Sequence, residues 1–347
     1  MQFLEVDGSQ GEGGGQILRT ALAFSVIKGR PVRVSKVRAG REIPGLRRQH
    51  VSALKILAEI FDGELTGAVE GSSQVSFSPG RVKVRSLSVD MGTAASITLV
   101  LQAVIPAAAI SGSSVSFDLR GGTDVPWSPT FDYFNTVVRE SYAAIGVEFE
   151  AKALRRGYYP RGGGRVTASV RPSEGIRQLD LITPPMEHDI RVWSRCGRLP
   201  NHVAERQMAA AVSVLKAAGY KTSETEATSD DADSPGSSVL VSSLGGGEFL
   251  GSDSLGKKGV PAEEVGRTAA ESLVAAISSG ATLDSNLADM VLPLLSLGDR
   301  PSRAKIPVVT PHLETSLAIA KQFTSCGYRQ ERAERSWVVE VIPTHAD

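Results

Sequence analysis

The glycine-rich run GEGGGQ, residues 11–16, leads straight into apolar residues at helical spacing: Ile17, Leu18, Ala21, Leu22 and Val26. A helix therefore opens on backbone N–H groups that no side chain shields, an arrangement suited to holding a phosphate. Glu12 adds a carboxylate able to hold a divalent cation. The run follows neither the GxGxxG nor the GxxxxGK(S/T) pattern, and a tight structural turn would use the same glycines. Arg19, one turn into the helix among apolar neighbours, requires an anionic partner or an exposed position.

Between Lys28 and Arg48 stand eight basic residues (Lys28, Arg30, Arg33, Lys36, Arg38, Arg41, Arg47 and Arg48) against one acid, Glu42. Guanidinium groups bind phosphate oxygens in pairs, so RAGREIPGLRRQH is read as a clamp for a phosphorylated end, with Arg38 and Arg41 as its arms and Gln49 and His50 beside them. Aromatic residues are not interleaved with these arginines as base-stacking would require, so a compact anion pocket fits better than a surface that coats a duplex. Lys28 and Arg30 are read as a solvated face. Of the five histidines, His50, His188, His202, His312 and His345, none stands at zinc-ligand spacing. His312 follows a proline at the start of the amphipathic segment PHLETSLAIAKQF. The positive end of a helix favours the neutral ring, and a neutral imidazole can act as a nucleophile, although a structural histidine would also suit a helix start.

Other classes are excluded. The 347 residues carry 38 Lys plus Arg and 38 Asp plus Glu, so bulk positive charge cannot hold nucleic acid or membrane. Cys196 and Cys326 form no CxxC pair, which argues against a disulfide framework or a cysteine zinc site and fits a reducing compartment. No GxSxG elbow marks a serine hydrolase. The N-terminus lacks the basic start and apolar run of a signal peptide, and the most apolar stretch, Ile97 to Ile110, falls short of the roughly 20 residues that span a bilayer. A cytoplasmic protein is expected.

The elements that must position these residues follow from periodicity. Helices are expected over residues 16–27, 50–61, 97–110 and 130–145, with strands at PVRVSKVRA, SQVSFSP, VKVRSLSVD, SVSFDLRGG, VEFEAKAL and GRVTASVRP. Near Pro184 and Pro185 the texture changes. IRVWSRCG reads as a strand, HVAERQMAAAVSVLKAAG as a helix, TSETEATSDDADSPGSS as a polar loop, SVLVSSLG as a strand and AEEVGRTAAESLVAAISSG as a helix. The reading is an α/β protein with one catalytic domain made of residues 1–185 and 280–347, closed by the strand SWVVEVIP, and a smaller α/β domain, 186–279, inserted in it.

Taken together and in this order, GSQGEGGGQILRTALAFS, RAGREIPGLRRQH, LVLQAVIPA, GGTDVPWSP, HVAER, NLADMVLP and PHLETSLAI resemble the RNA 3'-terminal phosphate cyclases over nearly the whole chain. The resemblance implies repeated βαβαββ-like units interrupted by a smaller insert. It also implies ATP as substrate, an RNA 3' end as partner, and Mg2+ or Mn2+ at Glu12. His312 would attack the α-phosphorus of ATP, while Glu12, Arg19, Arg38, Arg41, Gln49 and His50 would line the phosphate and RNA-end pocket. The adenosine would lie against Gln102, Pro129 and the segment Asn286, Leu287, Ala288, Asp289 and Met290. Asn286 and Met290 depart from a ring and a glutamine seen in relatives, which touches nucleotide preference. A homodimer is compatible with this reading. Two other classes stand beside it: a non-catalytic RNA-binding scaffold of the same fold in ribosome assembly, and an enolpyruvyl-type transferase.

Overall fold

The structure is a computed structural model that describes residues 2–11, 14–92 and 94–344. The metal ligand expected at Glu12, together with Gly13 and His345, lies outside the described residues. The chain opens with β1 (Leu4–Asp7), α1 (Gly15–Lys28), β2 (Val32–Ser35), α2 (Arg48–Ile60), β3 (Glu64–Thr66) and β4 (Val75–Ser78). The sheet order is β1-β2-β4-β3, with β1 and β2 parallel and the other neighbours antiparallel. In β2, Val32 and Val34 are buried while Arg33 and Ser35 are half-exposed, the period of two that places one face on a core. Gly29 ends α1 in the left-handed conformation, φ 59°, a geometry that glycine adopts without a Cβ clash.

The next unit repeats the plan. It contains β5 (Ser86–Asp90), α3 (Ile97–Ile110), β6 (Val115–Gly121), α4 (Phe131–Tyr133), α5 (Arg139–Ala144), β7 (Phe149–Arg155) and β8 (Gly164–Val170), with a π-helical turn, Phe134–Val138, joining α4 to α5. Its order is β5-β6-β8-β7. Helix α3 is apolar nearly all round and buried along almost its whole length, as its sequence implied.

A third unit begins with β9 (Asp180–Leu181) and is then interrupted by β10 (Ile190–Gly197), α6 (His202–Ala217), β11 (Thr222–Asp230), β12 (Gly236–Gly245), β13 (Glu248–Leu255) and α7 (Ala262–Ser278). It resumes with α8 (Ser285–Val291), a 3-10 turn over Leu292–Leu297, β14 (Ser302–Ile306), α9 (Pro311–Thr324), β15 (Gly327–Ala333) and β16 (Ser336–Ile342). The sheet β15-β16-β14-β9 has the connectivity of the first two, with β9 parallel to β14. The interrupting segment forms its own sheet, β11-β10-β12-β13, packed on α6 and α7 around Val192, Leu215, Val241 and Leu273.

Strand β12 explains how that segment sits on the rest. Val239 and Val241 face its own helices, while Leu240 and Leu244, on the opposite face, belong to the main core. Both faces are covered, so every residue of β12 from 237 to 244 is buried, small serines flanking the apolar run of Val239, Leu240 and Val241. Strand β11, on the other side of β10, corrects the sequence reading, which took TSETEATSDD for a loop: Thr222–Asp230 is a strand, parallel to β10. It lies at the sheet edge with no buried residue, so no apolar alternation marks it.

Candidate active site

The N-termini of α1 and α9, helices packed against each other, meet at Gly14 and Gly15. A Cβ built on Gly14 would lie 3.2 Å from Arg41 Nη2 and 3.9 Å from His312 Cε1. One built on Gly15 would lie 2.3 Å from His50 Nε2 and 3.1 Å from Arg19 Nη1. Two glycines thus bring together two histidines and two arginines that are far apart in the chain. Gly14 caps α1 without any side-chain bond and no acidic residue stands in the first turn, which leaves the leading N–H groups to an anion.

His312 occupies the second position of α9. Thr310 fixes that start: its hydroxyl accepts from Leu313 N at 2.9 Å and donates to Asp289 Oδ1 at 2.7 Å. The nucleophile candidate on α9 is therefore tied to the acid on α8. Arg19 reaches Gln16 Oε1 at 2.7 Å, and Gln16 in turn donates to Ser316 Oγ on α9 at 3.3 Å. Burial lowers the Arg19 guanidinium to about 10, and its Nε is buried with no hydrogen-bond partner. A buried cation with an idle donor matches an anionic ligand.

His50 is 4% exposed, and burial first, then Arg19, Arg38 and Arg47, push its pKa down to about 3. The ring is neutral. Its Nδ1 accepts from Arg47 N at 3.0 Å, so the proton sits on Nε2, the nitrogen turned to Gly15. Arg38 has φ 54° and uses Nη1 on the carbonyls of Ile43 at 2.8 Å and Gly45 at 3.1 Å, so part of its work is holding the loop. Burial, Arg47 and Arg41 lower its pKa. Gln49 is half-buried on α2. Much of the basic stretch is paired elsewhere: Arg33 with Glu5, Lys36 with Asp7 and Arg48 with Glu70.

A cavity of about 520 Å³ opens beside His312, lined by Arg19, Gln102, Pro129, Asn286, Asp289 and Met290 among others. The short helix α8 explains the choice. Asn286, Asp289 and Met290 share one face by their spacing, whereas Leu287 and Ala288 turn to the core, each 0% exposed. Those two side chains do not line the cavity. The Gln102 Oε1 is buried without a partner, an acceptor waiting for a donor as Arg19 Nε waits for an acceptor. A larger groove of about 880 Å³, near Glu148, Arg171 and Arg300, contains none of the candidate residues.

The same cavity takes in residues that the sequence did not mark. Gln16, Leu99, Trp127, Ser128 and Tyr133 come from the first two units, and Asp253, Ser254 and Leu255 come from β13 of the interrupting segment. Burial raises the pKa of Asp253, which accepts from Thr130 N at 2.7 Å. Asp284, the N-cap of α8, accepts from Tyr133 Oη at 2.8 Å and from Gly251 N at 2.9 Å, and burial pushes its pKa up to about 6. Proline-flanked Trp127 carried a readable turn signal. Asp253 carried none, because the packing of β13 against α4, α8 and the π-helical turn brings it there.

The metal implied by the resemblance has one named ligand, Glu12, outside the described residues. Among the described residues no group of three or more His, Cys, Asp or Glu side chains could hold a metal ion. In that part of the site, charge is met by arginines, His50 and backbone N–H groups. Among the described residues no helix is long and apolar enough to cross a membrane.

A family model described as RNA 3'-terminal phosphate cyclase matches residues 10–329. A protein of that name from Methanopyrus kandleri is 43% identical over 351 aligned positions, covering 99% of each chain. One from Caldivirga maquilingensis is 40% identical over 350 positions, again 99% of each chain, and one from Pyrococcus furiosus is 43% identical over 320 positions, 92% of each chain.

Proposed function

Because the chain belongs to the RNA 3'-terminal phosphate cyclase family, and is an enzyme of that type, we propose that it converts an RNA 3'-terminal phosphate into a 2',3'-cyclic phosphodiester at the expense of ATP, through an adenylated His312. The observation that carries this reading is the meeting of His312 and Arg41 at Gly14, next to the cavity lined by Gln102 and Asp289.

A neutral His312 nitrogen attacks the α-phosphorus of ATP. A P–N bond forms, the bond to the β-phosphate oxygen breaks, and pyrophosphate departs. Arg19, Arg41, the Nε2–H of His50 and the open N–H groups of α1 are suited to the charge that builds on the phosphoryl oxygens and on the leaving group. An oxygen of the RNA 3'-phosphate then attacks the same phosphorus and the P–N bond breaks, which regenerates the imidazole. The terminal phosphate now carries AMP as a leaving group. The neighbouring 2'-hydroxyl attacks it, loses its proton, and closes the ring as AMP leaves. A bare phosphate dianion repels nucleophiles and has no comparable leaving group, which is why activation precedes closure.

Gln102 and Asp289 are the polar contacts for the nucleoside in this reading, with Pro129 and Met290 against the base. The catalytic domain of residues 1–185 and 280–347 and the inserted domain of 186–279 belong to the same proposal, supported by the separate apolar cluster around Val192 and Leu273. So do a cytoplasmic location, Mg2+ or Mn2+ at Glu12, and a homodimer, which sedimentation would read directly. The central test is incubation with ATP labelled at the α-phosphate. The parent chain is expected to take up acid-labile, alkali-stable label, and His312→Ala to take up none while unfolding at the same temperature. Label retained in His312→Ala would overturn the assignment of the nucleophile. An unlabelled parent would favour the scaffold or the transferase.

A further inference from the structure

The cavity beside His312 has one ring face still open to a ligand. Among its described lining residues the aromatic rings, apart from that imidazole, are Trp127 and Tyr133. Tyr133 is 1% exposed and its hydroxyl is committed to Asp284. Trp127 is the opposite, 97% exposed, and its backbone sits at φ 63°. A left-handed conformation is an outlier for so bulky a residue. An indole given to water and a strained backbone are two separate costs at one position, and neither is repaid by packing.

The turn that carries Trp127 is held at successive residues. Ser128 Oγ donates to Val125 O at 2.8 Å, the Pro129 carbonyl accepts from Thr98 Oγ1 of α3 at 2.8 Å, and Thr130 N donates to Asp253 of β13 at 2.7 Å. A flat side chain on a fixed turn has little freedom to lose when it is covered. Asn286 and Met290, on the same cavity, offer no ring.

We propose that Trp127 is a stacking platform for a nucleobase at this cavity, an inference that rests on the cyclase reading for the identity of its ligands. The chemistry is shared by the adenine of ATP and by the terminal base of the RNA: each presents a π face that an indole can cover without reading sequence.

The test uses the full chain with Trp127→Ala and Trp127→Phe, and two probes, ATP and a short RNA ending in a 3'-phosphate. Unchanged thermal unfolding establishes that the fold is intact, as expected for so exposed a side chain. In the ATP arm, the KM for incorporation of labelled AMP into the protein is measured; in the RNA arm, the KM for RNA during cyclisation at saturating ATP. Trp127→Ala is expected to raise the KM in one arm about tenfold, with the saturated rate within about twofold of the parent, and Trp127→Phe to recover most of the affinity. The arm that responds names the base. The same ligand is expected to quench the fluorescence of the parent, and the quench to vanish in Trp127→Phe although Trp193 and Trp337 remain. If Trp127→Ala matches the parent in both arms, or the quench persists in Trp127→Phe, the stacking role falls while the cyclase reading stands. If the parent takes up no label, the cyclase reading falls, and fluorescence titration with each probe still decides the role of Trp127.

Discussion

At the scale of single residues, the site depends on what is missing from Gly15 and on which proton His50 carries. A methyl group at Gly15 would be driven to 2.3 Å from His50 Nε2, a contact that must displace the ring. Gly15→Ala is expected to lower the rate of protein adenylation by about a hundredfold, the usual cost of misplacing groups by about an ångström, with circular dichroism unchanged. Gly14→Ala meets the flexible end of Arg41 instead and is expected to cost less. His50 has a folded pKa near 3 against 6.5 for the free ring. Below pH 6.5 the unfolded chain takes up a proton that the folded chain refuses, so the contribution of this residue to stability is present above 6.5 and is lost as pH falls toward 3. Urea unfolding at about pH 7 and pH 5 should therefore show the parent losing about 2 kcal/mol more than His50→Gln.

Among the elements, α9 matters most, because its first turn carries His312 and its cap joins α8. Removing the Thr310 hydroxyl leaves Leu313 N without its capping acceptor and breaks the bond that ties α9 to Asp289. Thr310→Ala is expected to destabilise the protein by about 1–2 kcal/mol in denaturant unfolding and to slow adenylation about tenfold. Thr310→Ser should restore both. Helix α8 teaches a related lesson about legibility. The run Asn286 to Met290 was recognisable as a unit, yet its helical period divides it between the cavity and the core, so Leu287 and Ala288 support the site from behind.

In the whole molecule, the interrupting segment is joined to the second unit by buried charge. Arg156, its side chain 6% exposed, pairs with Asp124 at 3.2 Å, Asp132 at 2.6 Å and Asp230 at 3.6 Å, and Arg195 of β10 also reaches Asp132, at 3.2 Å. Taking away the central cation leaves carboxylates facing one another out of water. Arg156→Leu is expected to cost about 3–5 kcal/mol in denaturant unfolding, and Arg156→Lys to recover only part of it, since one ammonium cannot span three carboxylates. Asp253 and its neighbours on β13 reach the cavity across this same junction, so loosening it is also expected to weaken nucleotide binding.

The sequence by itself determined the helices α1, α2, α3 and α9, the open glycines at the head of α1 and the candidacy of His312, because period, capping and backbone exposure are properties of neighbours along the chain. It concealed β11, whose edge position calls for no apolar face, and the orientation of Leu287 and Ala288. Only the tertiary structure decided that Gly14 and Gly15 would gather Arg19, Arg41, His50 and His312, and that β13 would supply Asp253 to the cavity beside them. Those juxtapositions arise from packing between segments distant in the chain, where proximity depends on how the faces fit together and leaves no local pattern to read.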